Sequence, residues 1–132
     1  MNRLLNMLSA AAVATGAAGA VSPALAAAPT AARQCFSPSQ VTAMQPVGDR
    51  QVNIRVGARD VFRVDLAQPC HQLRQPQRVL TVRPLASGVS ICSGADFVLG
   101  AEVNGFTEQC AVSSITRLTP DQVAALPNRE RP

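Results

Sequence analysis

The chain has 132 residues, 12 basic and 8 acidic side chains, a net charge of +4 and 47% apolar residues. All the basic residues are arginine and are interspersed with Asp and Glu; with no Trp or Tyr to stack on bases, a nucleic-acid binder is not expected. The composition suits a soluble surface instead.

Met1-Asn2-Arg3 gives a short positive start, Leu4 to Val21 is apolar and Ala-rich, and Ser22-Pro23 precedes the small-residue site Ala24-Leu25-Ala26. That layout predicts a signal peptide over residues 1–26, cleaved after Ala26, and hence a periplasmic or secreted protein. The apolar run is interrupted by Asn6, Ser9, Thr15 and glycines, a poor match to ~30 Å of hydrocarbon, so no transmembrane segment is expected in the mature chain. With no cysteine at the cleavage site, a lipid anchor is not expected either. Residues 27–34 read as a flexible tail, 35–127 as one small domain, and 128–132 as a disordered tail.

Cys35, Cys70, Cys92 and Cys110 all follow the cleavage site, and an even count in an exported chain predicts two disulfides. Their wide spacing lacks the close pairs of a zinc site, so no metal set is expected. Three pairings are possible. The favoured one is nested, Cys35–Cys110 and Cys70–Cys92, because it ties both ends of the domain together.

In chain order, Ser37-Pro38-Ser39-Gln40 has the grammar of a helix N-terminus: a capping Ser, Pro at the first helical position and Gln three residues on. It predicts a helix of barely two turns limited by Pro46. Thr119-Pro120-Asp121-Gln122 repeats that grammar and predicts a second short helix ended by Pro127. Between them, apolar residues alternate at period two. Val52, Ile54 and Val56 face Phe62, Val64 and Leu66, all even-numbered, so the connecting loop has an odd length. A five-residue loop would oppose Arg55 to Arg63, a like-charge pair that costs stability, so the three-residue loop Gly57 to Arg59, which sets Asn53 opposite Arg63, is the one expected. Further strands are expected at 78–83, 89–92, 96–99 and 109–117. Turns are expected at Gln75-Pro76, 84–88, Ser93-Gly94-Ala95, Gly100 and Asn104-Gly105. The fold class is therefore mainly β: a small antiparallel sheet or partly open barrel, stapled by disulfides, with short capped helices at its ends.

Residues that carry chemistry are sparse. His71 is the single histidine, and no nucleophile elbow, phosphate loop or metal motif accompanies it, so no catalytic, metal-binding or cofactor-binding residues are expected. Asp96 reads as the acid that bonds the amides of the Cys92–Ala95 turn. An enzymatic or metal-binding alternative would have to use His71 or Asp96. Arg55, Arg59 and Arg63 form a possible ligand face on the hairpin, suited to an envelope protein or an anionic polymer. Against that stands a solvated face paired with Asp49, Asp60 and Asp65.

Cys35-Phe36, Asp49-Arg50, Val56-Gly57, Arg59-Asp60-Val61-Phe62, Cys70, Ile91-Cys92-Ser93-Gly94, Cys110 with Val112, and Leu118-Thr119-Pro120 together carry a resemblance. The chain is similar, from Cys35 to about Leu126, to a family of small exported four-cysteine proteins of proteobacteria with no assigned function. The resemblance implies export and a disulfide framework and supplies no catalytic residue. A non-enzymatic binding or envelope-associated module is the expected function.

Overall fold

The computed structural model describes residues 34–88 and 90–132; the expected signal peptide and most of the expected tail over 27–34 lie outside the described residues. Six antiparallel strands form the fold: β1 (Val41–Val47), β2 (Gln51–Val56), β3 (Asp60–Leu66), β4 (Val79–Pro84), β5 (Phe97–Val103) and β6 (Phe106–Arg117). Their order, β1-β2-β3-β6-β5-β4, makes a nearly closed, barrel-like sheet. The two edge strands approach each other across a gap lined by Met44 and Pro46 on one side and Gln77, Arg78 and Leu80 on the other.

Period-two patterning fills the interior as expected. Val52, Ile54, Phe62, Val64 and Leu66 are buried, joined by Phe97, Leu99 and Ala101 from β5 and by Phe36 and Ile91 from the flanking segments. The rings of Phe36 and Phe62 lie 5.0 Å apart, and Phe36 meets Phe97 edge-on at 6.4 Å. Three phenylalanines thus meet at one point of the core, which partly compensates for the scarcity of aromatics. Val56 pairs with Asp60 and Asn53 with Arg63, so the hairpin loop is the three residues Gly57 to Arg59. Gly57 takes φ +60°, a left-handed conformation that glycine adopts without steric cost. The β5–β6 turn is Asn104-Gly105, both left-handed, as a two-residue hairpin requires.

Several expectations fail, each for a non-local reason. Ser37 does begin a capped turn, with its N–H donating to Gln40 Oε1 at 3.1 Å. The helix ends after Pro38–Gln40, however, and Val41–Val47 is strand β1. Pairing with β2 outweighs the local helix grammar, and Pro46 is tolerated because β1 is an edge strand. Gly100, expected at a turn, lies inside β5, where a Cβ would collide with the Thr81 side chain. Over 89–92 the described residues show a single bridge, Ile91 with Phe36, in place of a strand.

The nested disulfides are also corrected. The bonds are Cys35–Cys92 and Cys70–Cys110, a crossed pairing. Phe36 and Ile91 exchange two backbone hydrogen bonds, which places their neighbours Cys35 and Cys92 side by side with Cα atoms 4.2 Å apart. Cys110 points inward from β6 beneath the turn His71–Arg74, and Cys70 opens that turn. The second bond therefore ties the long β3–β4 connection onto the core.

The second capped helix forms as expected: α1 (Pro120–Ala125), with Gln122 N–H donating to Thr119 Oγ1 and Thr119 N–H to Gln122 Oε1. Leu118, Leu126 and Val123 pack on Val61, on the outer face of the hairpin. Residues 128–132, expected as a disordered tail, instead continue with a turn, Asn128–Glu130. Arg131 donates to the Leu126 and Ala124 carbonyls at 2.9 and 2.8 Å, and Asn53 Nδ2 donates to Glu130 O at 2.8 Å. A guanidinium that satisfies the last carbonyls of a helix holds the chain after it in place.

Two measurements check this architecture. Non-reducing peptide mapping with trypsin and a glutamate-specific protease, which cuts between Cys92 and Cys110 at Glu102 and Glu108, is expected to yield the Cys35 peptide joined to that of Cys92, and the Cys70 peptide joined to that of Cys110; nested pairs would refute the crossed arrangement. At Gly94 an added Cβ would stand 2.9 Å from the Ser113 carbonyl carbon of β6. Since that contact is to backbone, Gly94→Ala is expected to lower stability by about 1–3 kcal/mol in urea denaturation.

Candidate functional site

The β2–β3 hairpin carries the residues of interest because its tip projects past the end of the sheet. Alternation directs Arg55 and Arg63 outward while Val56 and Phe62 turn in. Arg59 is the last residue of the loop and is exposed. Antiparallel pairing of β3 with β6 sets Arg117 opposite Phe62, at the same end of the sheet. Three arginines, 55, 59 and 117, thereby gather around the tip.

Their partners differ. Arg55 donates through Nε and Nη2 to Pro132 O at 2.9 and 2.6 Å, and through Nη1 to Ala58 O at 3.4 Å. All three contacts are to main-chain oxygens, and with Nε and Nη2 both on Pro132 O the guanidinium is engaged by the chain itself, so Arg55 is not a free cation. Arg117 pairs with Asp60, both about half exposed. Arg59 has no acidic partner among the described residues. The expected pairing of the hairpin arginines with Asp49, Asp60 and Asp65 is not what forms. Asp49 takes Arg74 at 2.9 Å, Asp60 takes Arg117, and Asp65 accepts from Gln51 and Ser114.

Two cavities flank the tip. One, of about 560 Å³, has Phe36, Val56 and Phe62 at its base, with Arg59 and Arg117 on its wall. The other, of about 690 Å³, runs from Arg55 and Arg59 to the α1 segment, where Leu118, Pro120, Val123 and Ala124 form its wall. Gln34, Ala58, Arg59, Asp60 and Arg117 border both. Cavities of this size accommodate small ligands. Of the expected ligand face, Arg55 and Arg59 enter this cleft. Arg63 does not line it: it sits further along β3 between Asn53 and Thr116, and its Nε and Asn53 Oδ1 are buried without hydrogen-bond partners. Arg117 was missed by sequence reasoning, because nothing local reveals the β3–β6 register that brings it to Asp60.

The residues of the enzymatic and metal alternative are held in structural contacts. His71 is 85% exposed, with Nδ1 3.5 Å from Glu108 Oε1. Glu108 also accepts the Gln72 N–H at 2.8 Å; chiefly that bond, with help from His71, keeps its carboxyl below its ordinary value. Asp96 Oδ2 accepts the N–H groups of Cys92 and Ser93 at 2.8 and 2.7 Å, the turn role expected of it. The Gly94 turn packs on Ser113, roughly 17 Å along β6 from Glu108, so the two residues do not share a site. Cys70, Glu108 and Cys110 bring potential metal ligands within 4.8 Å of one another, but both sulfurs are joined in the disulfide.

The Asp96 turn makes a pH prediction. The Cys92 and Ser93 amides lower its pKa below the ordinary 3.8, because they bond the charged form. A depressed folded-state pKa gives stability that is present above the unfolded value and lost as pH falls through the folded one. Asp96→Ala is therefore expected to melt below the wild type at pH 6, with the gap narrowing as the pH is taken below about 4. Thermal melts across that range check it; a constant gap would refute the ionic contribution.

No curated protein and no solved structure matches the chain, and among the described residues no helix is long and apolar enough to cross a membrane. A family model does match, over residues 2–131, and the fold described here, six strands with two crossed disulfides, is what it encloses. The chain belongs to the family of unknown function DUF6491.

Proposed function

We propose that the chain is exported and acts as a non-enzymatic binding module of the cell envelope, taking an anionic partner at the arginine-lined cleft of the β2–β3 hairpin tip. The observation that carries this reading is Arg59, an exposed cation without an acidic partner among the described residues, placed between two cavities. Export is supported by the Met1–Ala26 leader pattern and by four cysteines all in disulfides, which persist in oxidising compartments. An envelope protein with an acidic patch or an anionic polymer supplies the complementary charge.

Two measurements test it. N-terminal sequencing of the exported protein is expected to start at Ala27; recovery of the full-length chain from the cytoplasm alone would sink export. Dextran sulfate, titrated at low ionic strength, is expected to bind and to weaken with added salt. Arg59→Glu is expected to weaken it roughly fivefold, since it removes an attraction and adds a repulsion of about 0.5 kcal/mol each at an exposed site. Arg83→Glu, the same charge change on β4, is expected to have a smaller effect. Equal losses in both variants would mean that net charge alone binds the polymer, and the site assignment would fall.

A further inference from the structure

We infer that the ligand of the larger cavity is a single-chain amphiphile with one anionic head, of the fatty-carboxylate type. This inference rests on the proposal of an anion site at the hairpin tip and specifies its occupant. The two ends of the cavity differ in chemistry. At one end stands Arg59, a guanidinium with no acidic partner among the described residues; beside it Arg55 is engaged by Pro132 O and Arg117 is offset by Asp60. The far wall is mostly hydrocarbon, Leu118, Pro120, Val123 and Ala124, with Thr119 among them, whose hydroxyl is taken by the Gln122 N–H.

A polyanion would satisfy the arginine end and leave that wall in water, gaining nothing from it. An uncharged apolar ligand would cover the wall and leave the Arg59 cation beside it without a partner, which is costly where the ligand excludes water. A ligand with a carboxylate at one end and an alkyl chain at the other matches both. The guanidinium fork suits a carboxylate in particular, since two parallel N–H donors meet its two oxygens. A volume of about 690 Å³ is within the range of sites that hold one small molecule, and too small for a folded partner to enter. The cavity is open to solvent on one side, so the chain would be covered on one face.

The test is a titration of the exported protein with hexanoate, octanoate and decanoate at constant ionic strength, by calorimetry and below micelle-forming concentration. A fully buried methylene is worth about fourfold in affinity, so a half-covered chain is expected to gain about twofold per methylene. Decyltrimethylammonium, with the same chain and the opposite head, is expected not to bind. Arg59→Glu is expected to weaken both decanoate and dextran sulfate. Ala124→Asn changes an exposed position on the apolar wall with little cost to folding. It is expected to weaken decanoate severalfold and leave dextran sulfate unchanged.

Affinity independent of chain length, with dextran sulfate still dependent on Arg59, would overturn the amphiphile and leave the anion site standing. No binding of either anion would overturn both. Binding of the cationic amphiphile as tight as that of decanoate would show unselective apolar adsorption and overturn the inference. Decanoate binding that emerges only when the residues before Gln34 are removed would give the cleft to the chain's own preceding segment, and would overturn it as well.

Discussion

The pairing of β3 with β6 is the constraint on which the rest depends. The chain writes two local meanders, β1-β2-β3 and β4-β5-β6, joined internally by two- or three-residue turns except between β4 and β5, where residues 85–96 intervene. Neither sheet alone could enclose the side chains it points inward. The register that sets Phe62 against Arg117 and Val64 against Ile115 joins them and lets Ile54, Phe62, Leu99 and Phe97 share one interior. It is a contact between residues some fifty positions apart, and long loops make such contacts slow to form. The two crossed disulfides act on the same problem. Cys35–Cys92 ties the segment before β1 to the segment before β5, and Cys70–Cys110 ties the β3–β4 connection to β6. Each therefore links one half of the chain to the other, and each removes entropy from the unfolded chain across that seam.

The same register produces the second layer of structure. Because β6 ends at Arg117, beside the hairpin tip, the chain that follows emerges next to the outer face of β2 and β3. Leu118, Val123 and Leu126 cover Val61, and the following turn reaches Asn53. The hairpin is thus buried on both faces, which is why Asn53 and Val61, both odd-numbered, are fully inaccessible. A buried amide requires a partner, and Asn53 Nδ2 finds one in the Glu130 carbonyl, so a polar group specifies where the chain crosses the sheet.

What could be read from the sequence was what short-range physics decides. The even-numbered apolar residues from Val52 to Leu66 set the inward face, parity restricted the hairpin loop, and like-charge repulsion between Arg55 and Arg63 chose three residues over five. The capped helix at Thr119 and the turn of Asp96 are equally local, and both formed. What could not be read depended on distant partners. Ser37 to Pro46 carries sound helix grammar that strand pairing with β2 overrules after one turn. The cysteine pairing follows from the Phe36–Ile91 bridge, which no spacing rule anticipates. The candidate site was half legible for the same reason: Arg55 and Arg59 lie on one local hairpin, whereas Arg117 joins them only through β6.

The electrostatics of the tip follow from that division of partners. Arg55 is held by the chain that follows α1, where Pro132 O takes two of its donors and fixes its orientation. Asp60 is spent on Arg117, so it does not offset Arg59 one residue before it. Three further acids are placed against cations or amides: Asp49 with Arg74, Glu108 with Gln72 and His71, Asp96 with its turn. Arg59 is therefore left as a free cation at an end of the sheet where the surface is also concave and partly apolar. Charge and hydrocarbon adjoin there because a strand end supplies the arginines and the returning helix supplies the wall, so the register of β6 decides both.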